Sequence, residues 1–117
     1  MKKLYVVKHQ QDFDRIIKLN NKKVSSYFIV YSEDNDKKYD CYGISVSKKV
    51  GNSVVRHRIT RLIREAYRLH INDLIKGKDI VVVARVNSKG HNYWDIENAF
   101  LHLTKLHHII KSEESFN

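Results

Sequence analysis

Apolar positions recur along this chain with two different periods, and the periods divide it into elements. In residues 11–19, Phe13, Ile16 and Ile17 stand at helical spacing, which predicts a short amphipathic helix with Asp12 as its N-cap. Residues 24–32, Val24-Ser25-Ser26-Tyr27-Phe28-Ile29-Val30-Tyr31-Ser32, are rich in β-branched and aromatic side chains and predict a strand. A polar, acidic turn follows from Ser32 to Lys38. Residues 39–47 then alternate, with Tyr42, Ile44 and Val46 on one side, which predicts a second strand and a hairpin with the first.

Gly51-Asn52-Ser53 breaks the pattern and supplies N-cap candidates for a helix from about Val54 to about Leu69. Asp79-Ile80-Val81-Val82-Val83-Ala84-Arg85-Val86 is a continuous apolar run, as expected of a central strand buried on both faces. From Tyr93 to about Lys111, the spacing of Ile96, Ala99, Phe100, Leu103, Leu106 and Ile110 predicts a last amphipathic helix. The order α-β-β-α-β-α describes a small α+β or α/β sandwich of one sheet against helices. With 117 residues and no linker, repeat or low-complexity tract, residues 1–117 read as a single domain.

Composition narrows the function. No apolar run approaches the roughly 20 residues that span a bilayer, and the N-terminal apolar stretch is too short for a secretory segment. The expected address is the cytoplasm, with no membrane partner. Cys41 is the sole cysteine, which excludes an internal disulfide and multi-cysteine zinc patterns. Asp34, Asp36 and Asp40 read as a solvated loop, and the neighbouring His107 and His108 cannot face the same way on a helix. No catalytic residue and no metal site is therefore assigned. The net charge is +9, and residues 48–68, with seven basic residues and one acid, contribute +6 of it. A basic balance suits nucleic acid, an anionic membrane or an acidic protein; concentration in one segment favours a defined polyanion-binding face.

On a helical wheel with Arg56 at zero, His57, Arg61, Arg64 and Arg68 fall between about 80° and 140°, with Arg58 near 200°. Val55, Ile59, Leu62, Ile63, Ala66 and Leu69 fall between about 220° and 340°. A solvated face usually intersperses Glu and Lys, whereas here arginine dominates and Glu65 is the only acid. Arginine presents a planar fork suited to phosphate and to stacking on bases, and Lys48 and Lys49 precede a helix start that itself attracts anions. A non-catalytic RNA-binding module, such as a ribosomal protein, fits this composition equally well.

The run Gly51-Asn52-Ser53-Val54-Val55-Arg56-His57-Arg58, with Arg61 and Arg64-Glu65, resembles the RNR motif of the bacterial ribonuclease P protein component. Gly43-Ile44-Ser45-Val46-Ser47-Lys48-Lys49 resembles the strand entering that motif, and Lys78 to Arg85 resembles the family's fourth strand. The likeness spans about residues 5 to 110. It implies an α/β sandwich, α-β-β-(β)-α-β-α, with one central mixed sheet against helices and a left-handed βαβ crossover through the arginine-rich helix. It implies an RNA-binding subunit that contacts the catalytic RNA of ribonuclease P through Lys48, Lys49, Asn52, Arg56, His57, Arg58, Arg61, Arg64 and Arg68. It also implies contact between the 5′ leader of precursor tRNA and a cleft that includes Phe13, Ile17 and Tyr31. Mg²⁺ would be bound mainly by the RNA, which is catalytic, and no protein partner is required. The chain departs from the family pattern at Ser26, Ile17, His57 and Thr60. Read without the resemblance, Phe13 and Ile17 have the spacing of a buried helix face, and Tyr31 reads as a strand aromatic with its hydroxyl at the rim.

Overall fold

A computed structural model describes residues 4–107 and residue 109. The sheet is organised by β5 (Lys78–Ala84), where Ile80, Val81 and Val82 are all buried. A strand with no wet face needs a neighbour along each edge and a cover over each side. Its edge partners are β4 (Cys41–Ser45), parallel to it, and β3 (Phe28–Asp34), antiparallel to it. β1 (Tyr5–Val6) adds beside β4 and β2 (Lys22–Val24) beside β3, giving the mixed order β1-β4-β5-β3-β2.

The predicted hairpin between the strands flanking the acidic turn does not form. β5 inserts between β3 and β4 and pairs with β3 along its whole length, from Phe28↔Ala84 to Asp34↔Lys78. The hairpin that does form joins β2 to β3: the first predicted strand begins at the last residue of β2, Val24, turns over the next three residues and continues as β3. Ser25 turns the chain there: its Oγ accepts from the N–H groups of Tyr27 and Phe28, both at 3.2 Å.

Each face of β5 has its own cover. α2 (Ser53–His70) and α3 (Tyr93–Leu106) lie on one face, where Ile59, Ile63, Ala66 and Tyr67 meet Ile96, Phe100 and Leu103 above Phe28, Val30, Ile80 and Val82. Both helices begin at an asparagine cap. Asn52 Oδ1 accepts from Val55 N at 3.0 Å, and Asn92 Oδ1 accepts from Asp95 N at 2.9 Å. α3 ends at Leu106, short of the predicted end; His108, Ile110 and Lys111 lie outside the described residues. His107 follows the helix, with its Nε2 against the Val30 carbonyl.

α1 (Gln10–Leu19) alone covers the opposite face, over Val7, Tyr31, Cys41 and Val81. It starts two residues before Asp12, at an N-cap position held by His9 whose side chain makes no capping bond. Asp12 instead sits in the first turn, where a carboxylate suits the helix dipole. Asn20, in the left-handed conformation at φ 60°, ends the helix.

Asp40 is not part of a solvated loop. It is buried, and its Oδ1 accepts from Lys78 N at 2.8 Å, tying the start of β4 to β5. Burial pushes its carboxyl above the usual range, against the opposing pull of the Lys78 N–H and the Lys76 charge. A raised folded-state pKa means that stability is greatest below the ordinary carboxylate range and is lost as pH rises through the raised value. Asp40→Asn keeps the acceptor for Lys78 N without the charge. The variant should unfold at higher denaturant than wild type at neutral pH, and the gain should vanish in mild acid; an equal gain at both pH values would place its origin elsewhere.

Gly43, on β4, lies directly beneath α1. A Cβ there would stand 2.5 Å from Phe13 Cζ and 3.2 Å from Val7 Cβ. Gly43→Ala should therefore cost about 1–3 kcal/mol in chemical unfolding by forcing the Phe13 ring outward. The cost should largely disappear in a Phe13→Ala background, as a double-mutant cycle would read.

Candidate nucleic-acid interface

α2 is built so that one side cannot leave the core. Ile59, Ile63, Ala66 and Tyr67 are buried, whereas His57, Arg61, Arg64 and Arg68 are exposed. The buried arc is shifted from the predicted one. Tyr67, near 20° on the wheel, stacks on Tyr42 with ring centroids 4.5 Å apart, while Leu69 is exposed. The shift arises because the helix is wedged between the sheet and α3 rather than laid on the sheet alone.

The cations predicted for this face take different positions. His57, Arg61 and Arg64 form its exposed ridge, and none of the three has a carboxylate partner among the described residues. Arg68 pairs with Glu65 at 2.5 Å, and that bond holds the Glu65 carboxyl below the usual range. Arg58 leans toward α3 and donates from Nη2 to the His91 carbonyl at 2.8 Å. Arg56 is half-buried at the rim of the core, with its Nε unpartnered. Asn52 spends its side-chain oxygen on the helix cap. Lys48 and Lys49 are exposed at the tip of the β4–α2 turn, which is pinned by buried Val50 and its N–H bond to Ser47 O at 3.1 Å.

α3 closes one flank of the ridge. His70 Nε2 meets Glu97 Oε2 at 2.8 Å, and the Tyr93 hydroxyl donates to the same oxygen at 3.0 Å. Burial and the Glu97 contact push the Tyr93 hydroxyl up to about 12.

Phe13, Ile17 and Tyr31 come together on the other side of the sheet, in the cluster under α1. Their exposures differ. Tyr31 is only 7% exposed, buried beneath the helix, whereas Phe13 and Ile17 are half-buried along its flank. Strand register supplies what periodicity could not. Val24, Ile29, Val83 and Ser45 are paired across four strands and share a face with Tyr31, Val81 and Gly43. α1 covers the Tyr31 row and leaves the Ile29 row open, with Ile29, Val83 and Ser45 half-exposed. The result is a groove with an apolar floor and Phe13 and Ile17 as one wall. Its β4 end runs into the turn that carries Lys48 and Lys49.

A sequence profile of the Ribonuclease P family matches residues 1–108. The ribonuclease P protein component of Lachnoclostridium phytofermentans is 51% identical over 108 residues, covering 92% of this chain and 93% of that protein. Among solved structures, the Staphylococcus aureus RNase P protein superposes with a TM-score of 0.84 at 38% identity, covering 92% of this chain and 99% of that one. A mutant of the S. aureus protein, described as having defective mRNA degradation activity, gives the same TM-score at 36% identity, covering 91% and 90% of the two chains. The Thermotoga maritima RNase P protein superposes with a TM-score of 0.77 at 27% identity over 86% and 94%. With a match across nearly its whole length in sequence and in fold, the chain belongs to the family of the ribonuclease P protein component.

Proposed function

We propose that this chain is the RNA-binding protein subunit of ribonuclease P, acting in maturation of the tRNA 5′ end in the cytoplasm. It grips the catalytic RNA with the outer face of α2 and the Lys48–Lys49 turn. The groove beside α1 receives the 5′ leader of precursor tRNA. The observation that carries this reading is the arginine ridge. Among the described residues, it leaves His57, Arg61 and Arg64 without acidic partners on a helix whose other side is fixed in the core, in a chain of this family. Like charges at this spacing destabilise a free helix, and a polyphosphate partner relieves the repulsion.

Catalysis in this reading belongs to the RNA. Mg²⁺ held by the RNA would supply electrostatic stabilisation of charge at the scissile phosphate. Among the described residues, no group of three or more His, Cys, Asp or Glu side chains is placed to hold that ion. Asp40 Oδ2 is a buried carboxylate oxygen without a partner, but it is surrounded by Lys76, Lys78 and backbone N–H groups. In this reading the metal is held mainly by the RNA, and the protein's part is to position both RNAs.

Reconstitution with a ribonuclease P RNA tests the reading. The chain should stimulate precursor-tRNA cleavage at low Mg²⁺. Phe13→Ala should weaken precursor affinity by about 1–3 kcal/mol, the size of one base–aromatic stack, and spare mature tRNA. Failure to stimulate, or RNA cleavage by the RNA-free protein that a point mutation abolishes, overturns it. A messenger RNA fragment belongs in that RNA-free arm, given the activity attributed to the S. aureus protein.

The two sides of α2 should respond differently to substitution. Arg61→Ala or Arg64→Ala should flatten the slope of log K against log salt for RNA binding by about 0.7–0.9 for each phosphate no longer neutralised, with folding unchanged. Ile63→Ala should cost about 2–5 kcal/mol in a denaturant melt and leave the slope alone. An unchanged slope in the arginine variants would mean that the ridge is only solvated.

A further inference from the structure

Trp94 is the chain's single tryptophan, and 68% of its surface is exposed. It stands in the first turn of α3, and that turn is held from several directions. Asn92 caps it, Arg58 donates to the His91 carbonyl, and the His91 ring lies 4.1 Å from that of Tyr27 and within 3.2 Å of Asp95. An indole on a rigid turn loses little freedom on binding, so its large apolar face is ready to be covered.

The first turns of α3 lie against the C-terminal half of α2. Glu97 reaches α2 through His70, and Trp94 lies about 60° beyond Glu97 around the α3 wheel, farther from the buried Ile96–Phe100 side. The Tyr93 ring stands edge-on to the indole, centroids 6.4 Å apart, and its hydroxyl and the Arg68 guanidinium act on each other electrostatically. Nearby carboxylates are each matched by a cation or a donor: Glu65 by Arg68, Glu97 by His70 and Tyr93, Asp95 by His91.

We infer that Trp94 is a stacking platform for an unpaired base of the RNA gripped by α2, extending the interface from α2 onto the first turn of α3. The inference rests on the reading of this chain as the RNA-binding subunit. RNA is the partner that fits, because an aromatic face beside guanidinium groups recognises a base next to its own phosphates.

The full chain and a transcribed ribonuclease P RNA provide the test, with emission excited where tyrosine does not absorb. Saturating RNA should quench Trp94 and shield it from acrylamide. Trp94→Ala should weaken RNA binding roughly five- to a hundred-fold without changing its salt slope, and Trp94→Phe should restore most of the loss. Both variants should melt as wild type does, since the side chain is outside the core. RNA that binds while Trp94 emission and accessibility stay unchanged overturns this inference and leaves the functional reading standing. RNA that does not bind at all overturns both. A blue shift that grows with protein concentration in the absence of RNA, accompanied in sedimentation by a dimer that Trp94→Ala abolishes, would assign the indole to a second copy of the chain and overturn the inference as well.

Discussion

Burial of β5 on both faces is the constraint from which the remaining architecture follows. Ile80, Val82 and Ala84 point into one core and Val81 into the other, so neither side of the sheet can be left to water. The larger core takes two helices and the smaller takes one. With only ten residues, α1 covers the Tyr31–Val81–Gly43 row and stops before the Val24–Ile29–Val83–Ser45 row. The groove is thus a consequence of unequal cover: a sheet wider than the helix laid on it. On the other side, α2 is held along one face by Ile59, Ile63, Ala66 and Tyr67, which turns His57, Arg61 and Arg64 outward.

The parts legible in the sequence were those whose period repeats often enough to be counted. α1, α2, α3 and β5 are long enough for this, and the apolar run at Ile80–Val83 announced a buried central strand. β1 and β2, with two and three residues, carry no measurable alternation. The order of the strands was lost for a different reason. Adjacency in sequence favours a hairpin between β3 and β4, and only the non-local demand of β5 for two neighbours separates them. Tyr67 escaped the wheel because a helix packed against two partners buries a displaced arc. Asp40 escaped because burial of a loop residue depends on the Lys78 N–H, which is 38 positions away.

Site residues were legible in kind more than in arrangement. The arginine ridge could be recognised from spacing and from the near absence of acids, because both are local properties. The differing roles of Arg56, Arg58 and Arg68 could not, since each depends on a neighbour: the core rim, the His91 carbonyl and Glu65. The reading of Phe13, Ile17 and Tyr31 as core describes their packing, and the partial exposure of Phe13 and Ile17 leaves the cleft reading as a proposal. Tyr31 is packed below α1, while Phe13 and Ile17 both pack on the sheet and present an edge to the groove. A half-buried aromatic can do both, because its inner edge fixes the ring and its outer edge stays available.

The two proposed RNA surfaces lie on opposite sides of the sheet, yet a short stretch of chain joins them. Ser45 ends β4 in the row that floors the groove; Lys48 and Lys49 follow at the turn; Asn52 caps α2. Buried Val50 anchors this stretch, and β4 is fixed to β5 along its length by parallel pairing. Neither surface can shift far relative to the other without breaking that anchor or that ladder. In the proposed function the protein would act as a rigid spacer, with the distance and angle between the two surfaces set by β4 and its turn. Such a spacer suits a subunit that positions one RNA against another, since any slack in the connection would be returned as lost orientation. Gly43 belongs to the same strand, so the residue that seats Phe13 at the groove wall and the turn that leads to the arginine ridge are placed by a single ladder.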